Sequence, residues 1–362
     1  MSDAAAAVAA YGIPSRLTLP SAPLDESVFG DLLIRCEAHR VLGLLGAAVR
    51  ADAFPLTEES RDALEHKLTA WTGHELRVER VLLRALDLLA TAGIPSRVLK
   101  GVALARTSYP EPEQRVFGDV DLLVPSGRVH ETVAVLGEGL GAWRAQPELR
   151  PGFDERFGKE VLLRHGPVEL DLHRVFIDGA LGLTIALDDL FAPPYRFPLA
   201  GYELEALPMP QRLLHACYAA AIGDWPPRLI AQRDVAQLVL RERPHLADVL
   251  LMARAWRCEV VVARAVTGTW RALEIEERPP IVTWAERYEP TRIDRLLLHA
   301  HEGPARMFTR HLAAVVVLPT TAARASYLQA IAFPQPAYLR ARGVSGRHHV
   351  QRAVRRMFGR SG

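Results

Sequence analysis

The chain has 362 residues, 49% of them hydrophobic and 24% charged, with a formal net charge of +2. That length predicts two or three domains of about 150 residues each, and the composition excludes a disordered, collagen-like or mucin-like protein. The longest apolar run near the C-terminus, Leu312 to Pro319, is far short of the roughly 20 residues that cross a bilayer, so no transmembrane helix is expected. The Ala-rich start carries Asp3 and no basic flank, which argues against a secretory signal. Cys36, Cys217 and Cys258 have neither disulfide nor zinc spacing, and reduced, buried thiols in a cytoplasmic protein are expected. Charge is uneven along the chain. The last acid is Glu302, and residues 303–362 hold ten Arg and no Asp or Glu. Of the basic residues 41 are Arg, leaving Lys67, Lys100 and Lys159 as the lysines.

In chain order, residues 1–24 read as an irregular arm and residues 25–92 as a helical region. Val28, Leu32, Leu33 and Cys36, then Val41, Leu44, Leu45 and Ala48, recur at helical spacing. Thr57 is a helix start, and Leu82, Leu83, Leu86 and Leu89 carry a helix that should stop at Gly93. An α/β core is expected over 93–200. Its strands are Ile94–Leu99, Val116–Val124, Glu160–Arg164 and Val168–Phe176, the last two joined by a turn at His165-Gly166-Pro167. Helices are expected near Val102–Thr107 and Ser126–Leu136. Gly137-Glu138-Gly139-Leu140-Gly141 lacks dinucleotide-loop spacing and reads as a helix stop. A helical domain is predicted for 201–302 and a basic segment for 303–362. In that segment Val350, Val354, Met357 and Phe358 share a face opposite Arg352, Arg355 and Arg356.

The chemistry is concentrated in the core. In Asp119-Val120-Asp121 the period-2 geometry of a strand puts both carboxylates on one face. Side by side they repel unless a cation compensates, and oxygen-only ligands suit Mg²⁺ or Mn²⁺. Glu169, Asp171 and His173 share one face of another strand, so three acids from two neighbouring strands could hold one or two ions. Glu169 and Asp171 compete as the third acid, and His173 suits hydrogen-bonding support of a neighbouring carboxylate. Lys100-Gly101 lies at a strand-to-helix transition, where backbone N–H groups and a lysine charge can meet an anion. Lys159 reads as hairpin decoration or a site residue. Arg228 and Asp234 could pair between helices or face a ligand.

LKGVALARTSYPEPEQRVFGDVDLLV followed by VELDLHRVF resembles the polymerase-β-type nucleotidyltransferase superfamily, and within it the bacterial family of uncharacterised nucleotidyltransferases. LLHACYAAAIGDWPPRLIAQRDVAQL resembles that family's helical region, so the likeness spans about residues 75–245. The resemblance implies an α+β fold, a small mixed-sheet core flanked by helical regions. It implies Asp119, Asp121 and Asp171 as catalytic metal ligands, and Lys100, Gly101, Arg115 and Asp234 around the nucleotide. An NTP would be the co-substrate, and a nucleoside monophosphate would pass to a hydroxyl on a peptide, small molecule, protein or RNA with loss of pyrophosphate. Members encoded beside peptide natural-product pathways favour a peptide or small molecule. The alternatives are an inert nucleotide-binding or scaffold protein, or sugar or phosphoryl transfer at the same metal site. Where the superfamily has a small hydroxyl residue after the glycine, this chain has Val102. Removal of the last 25 residues, which include Arg340, Arg342, Arg347, Arg352, Arg355, Arg356 and Arg360, is expected to weaken binding of an anionic acceptor.

Overall fold

A computed structural model of the chain describes residues 4–224, 226–302 and 306–343. The fold is α+β. Seven strands form one mixed sheet: β1 (Arg97–Val98), β2 (Asp119–Leu123), β3 (Trp143–Arg144), β4 (Glu160–His165), β5 (Val168–His173), β6 (Tyr195–Leu199) and β7 (Tyr202–Ala206). Their order is β3-β4-β5-β2-β1-β7-β6, with β2 parallel to β5 and antiparallel to β1. β4 and β5 are a hairpin, closed by Gly166 in the left-handed region at φ +55°.

Alternation decides which way each strand faces. Val120 and Leu122 on β2 and Val168, Leu170 and Leu172 on β5 are each at most 1% exposed. They join Val78, Leu82 and Leu89 of the helix Glu58–Thr91 and Leu136 of the helix Val129–Leu140 in one apolar cluster. Leu123 belongs instead to a second cluster with Leu213, Leu214 and Val235 of the helices Gln211–Tyr218 and Leu229–Gln237. The sheet is therefore covered on both faces, and the odd-numbered residues of β2 look toward the later helices.

Thr57 caps the long helix by accepting the Ser60 N–H, and that helix ends just before Gly93, at φ +63°. Helix Val129–Leu140 stops where Gly141 turns left-handed. Cys36, Cys217 and Cys258 are buried and form no disulfide with one another. No helix among the described residues is long and apolar enough to cross a membrane.

Three expectations change. The first 24 residues are not wholly irregular: Ala4–Ala9 is a helix whose residues 5–9 are buried. Its small side chains let neighbouring helices approach, and Arg233 donates to the carbonyls of Ala9 and Tyr11 at its end. The sheet runs past residue 200, because β7 pairs with β1 in parallel and with β6 across the tight Ala200-Gly201 turn. Beyond Glu302, the helices Thr321–Ala332 and Pro336–Ala341 follow Arg306–Val317. Ala314, Leu318 and Tyr327 pack against Phe157, so part of the basic segment completes the core. The face of Val350, Val354, Met357 and Phe358, with Arg347, Arg352, Arg355, Arg356 and Arg360, lies outside the described residues.

Candidate active site

Parallel pairing sets Asp121 directly opposite Asp171. The strand preceding this pair is anchored from the long helix: Glu75 accepts the Phe117 N–H at 3.0 Å, and His74 Nε2 lies 2.8 Å from the Gly118 carbonyl oxygen. On the other side, the Leu99 N–H donates to the Asp121 carbonyl, and the helix Lys100–Thr107 begins there. A Cβ on Gly101 would meet the Phe117 Cβ at 2.9 Å, so glycine is required for this helix to lie against residues 116–118. Val102 is buried in the apolar cluster beneath the sheet, where a hydroxyl would have to be desolvated.

Two groups converge on one oxygen of Asp121. Lys100 Nζ is 3.0 Å from its Oδ1, and His173 Nε2 is 2.8 Å from the same atom. Burial disfavours its charge, but Lys100 and His173 outweigh that and hold the carboxyl far below the usual carboxylate range. In return, Asp121 and then Asp119 overcome the effect of burial on Lys100 and hold its ammonium above the ordinary lysine value. Asp171 is pushed up to about 7, by burial first and then by the nearby Glu160. Glu160 Oε2 is 2.6 Å from Lys159 Nζ and 3.3 Å from Nδ1 of the buried His173.

Asp121, Asp171 and His173 each present a ligand atom, all within 4.8 Å of one another. Asp119 sits on the same face two residues earlier on β2, where Arg40 Nη1 is 3.4 Å from its Oδ1. The donor chemistry fits a hard divalent cation: crowded carboxylates, one with its proton held up to about 7, beside a buried imidazole. Glu169, the competing third acid, is exposed at the strand start and paired with Arg164 at 2.9 Å.

Six of the seven expected site residues, Lys100, Gly101, Arg115, Asp119, Asp121 and Asp234, line one cavity of about 280 Å³. Asp171, in register with Asp121 on β5, is not among the residues that line it. Arg115 and Asp234 are engaged with each other: Nε donates to Oδ1 at 2.8 Å and Nη2 to Oδ2 at 2.9 Å. Nη1 donates to the Val116 carbonyl, and Tyr109 donates to Asp234 at 2.7 Å. Arg228 pairs with Asp224 at 3.1 Å rather than with Asp234.

Sequence reasoning missed Arg40, His215, Asp178 and Arg310, which also line the cavity. His215 stacks on Phe176 at 4.4 Å, and burial, with Lys100 adding to it, lowers its pKa well below the usual histidine value. Arg310 comes from the basic C-terminal segment and lies 3.7 Å from Asp178.

The sheet thus presents paired acids from β2 and β5 to a helix N-terminus that carries a lysine. The profile of the family described as "Uncharacterised nucleotidyltransferase" matches residues 25–268, and the chain belongs to that family. It is a nucleotidyltransferase, an enzyme of nucleoside monophosphate transfer. No curated protein matches the chain. Among solved structures, the solution structure of the antibiotic-resistance factor ANT(2'')-Ia is similar over 51% of this chain and 92% of that one, at 16% identity and a TM-score of 0.35. So loose a likeness bears no weight for substrate or mechanism.

Proposed function

We propose that the protein transfers a nucleoside monophosphate from an NTP to a hydroxyl on a peptide or small molecule and releases pyrophosphate. The observation that supports this reading most directly is the in-register opposition of Asp121 and Asp171 beside Lys100. Asp121 and Asp171, with Asp119 adjacent, would hold Mg²⁺ or Mn²⁺, and His173 would orient Asp121. A divalent cation there lowers the pKa of an acceptor hydroxyl and neutralises phosphate charge.

The chain's own groups account for the rest. The acceptor oxygen bonds to the α-phosphorus, the bond from that phosphorus to the pyrophosphate bridging oxygen breaks, and the hydroxyl proton passes to Asp171. Lys100 and the first N–H groups of its helix face the charge that accumulates on the leaving pyrophosphate. Arg115 and Asp234 fix the cavity wall through their mutual pair. The test is purified protein with labelled NTPs and cell extract, followed by mass spectrometry of the labelled species; label transfer that needs Asp121 is expected. NTP binding with no transfer to any acceptor would favour the second reading, an inert nucleotide-binding or scaffold protein. The feature behind that reading is that Asp119 and Asp121 each already face a protein cation.

A further inference from the structure

The N-terminal helices lie outside the strand motif, yet they send one side chain into the cavity. Helix Glu26–Ala38 ends in a turn where the Arg40 N–H donates to Glu37 O and the Val41 N–H reaches back to Cys36 O. Arg40 holds φ +58°, a helix-stop position where glycine is the usual residue because it has no Cβ to strain. This turn is also held from outside. The His39 carbonyl accepts the Ile230 N–H at 3.3 Å, and its Nδ1 accepts the Leu229 N–H at 3.4 Å. The first turn of helix Leu229–Gln237 is thereby docked onto the residue before Arg40.

So fixed, Arg40 lines the same cavity as Lys100, Gly101 and Asp121, with its side chain 28% exposed. At 3.4 Å its bond to Asp119 is longer than the roughly 2.7–2.9 Å of a close charge-assisted bond, and it makes no second hydrogen bond among the described residues. Arg115 in the same wall has each guanidinium nitrogen engaged. A planar fork with unused donors, next to a carboxylate suited to a cation, matches the oxygens of a phosphate.

We propose that Arg40 is a triphosphate-contacting residue, whose guanidinium moves from Asp119 to non-bridging phosphate oxygens when nucleotide enters. This extends the reading of the cavity as an NTP site and depends on it. Equilibrium binding of non-hydrolysable NTP analogues, and of the matching NMPs, to wild type, Arg40→Gly, Arg40→Ala and Arg40→Lys tests it. Glycine suits the backbone at φ +58°, so Arg40→Gly should melt no lower than wild type. It should nevertheless bind the NTP analogue about tenfold more weakly or worse, the scale of one lost charged hydrogen bond, with NMP affinity unchanged. Arg40→Ala should lose affinity likewise, and Arg40→Lys should recover part of it. An Arg40→Gly protein that binds the NTP analogue as tightly as wild type, or that weakens for NMP equally, overturns the assignment while leaving the nucleotide site in place. A wild-type protein that binds neither nucleotide overturns the site reading and this inference together.

Discussion

Two charged clusters face the same cavity and are built in opposite ways. Arg115 and Asp234 form a closed unit, with two nearly parallel bonds, a tyrosine hydroxyl on the acid and a backbone carbonyl on the base. Burial works against the Arg115 charge, but Asp234 more than compensates, holding the guanidinium above its ordinary value. The cluster on β2 and β5 is open. Asp119, Asp121, Asp171 and Glu160 gather around Lys100, Lys159 and Arg40, and the crowding helps push the Asp171 carboxyl up to about 7. A closed pair holds a wall in place, whereas a crowd of acids that keeps one of its members protonated up to about pH 7 is poised for a cation from solvent.

The largest effect should come from the open cluster. Asp121→Asn is expected to cut pyrophosphate release by roughly three orders of magnitude, in line with the several kcal/mol of charge stabilisation a catalytic cation supplies. Its melting temperature at neutral pH should also fall, since Lys100 and His173 favour the Asp121 charge in the fold and the variant loses it. Near-full turnover at saturating Mg²⁺ would sink the metal-site reading.

The closed cluster should show the reverse. Arg115→Met leaves Asp234 buried without its cation and should cost about 3–5 kcal/mol of stability in urea unfolding. Lys100→Met should cost clearly less, because Asp121 keeps His173 and borders the open cavity. Equal losses from the two substitutions would erase the distinction.

A smaller, pH-dependent effect separates the acids within the open cluster. Asp171 titrates near 7 in the folded chain against an ordinary 3.8, by burial and then the proximity of Glu160. Between those values the folded state keeps a proton that the unfolded state has lost, so stability falls as pH rises from about 4 to about 7. Asp171→Asn should remove about 2 kcal/mol of this decline, allowing for the carboxyl's residual solvent contact. Glu75, also pushed up to about 7 by burial, contributes in the same direction to both proteins. The difference between wild-type and variant urea midpoints at pH 5 and pH 8 therefore isolates Asp171. No difference would show that its proton is not held by the fold.

Much of the open cluster was legible because it lies on period-2 strands, where spacing alone says which side chains share a face. Asp119 with Asp121, and Asp171 with His173, needed no more than that, and the turn at Gly166 and the stop at Gly141 needed only glycine's freedom of φ. The closed cluster was not legible as a pair, since Arg115 and Asp234 are 119 residues apart and no local pattern couples them. Arg40 at a helix end looks like any solvated arginine until the fold shows what stands opposite it. The β6–β7 hairpin escaped because Pro198 weakens its strand signal, which an edge strand such as β6 tolerates. The burial of Ala4–Ala9 escaped because an all-small helix has no periodicity to read.

The parallel pairing of β2 with β5 also fixes the order in which the site can come into being. His173 and Asp121 are 52 residues apart, and a parallel partner is reached only after the chain crosses over through helix Val129–Leu140, β3 and β4. The β4–β5 hairpin closes over a two-residue turn and carries little loop entropy, whereas docking β2 beside it closes a long loop. During refolding, strand content should therefore begin to appear before the carboxylates meet, and metal affinity should be among the last properties the chain recovers.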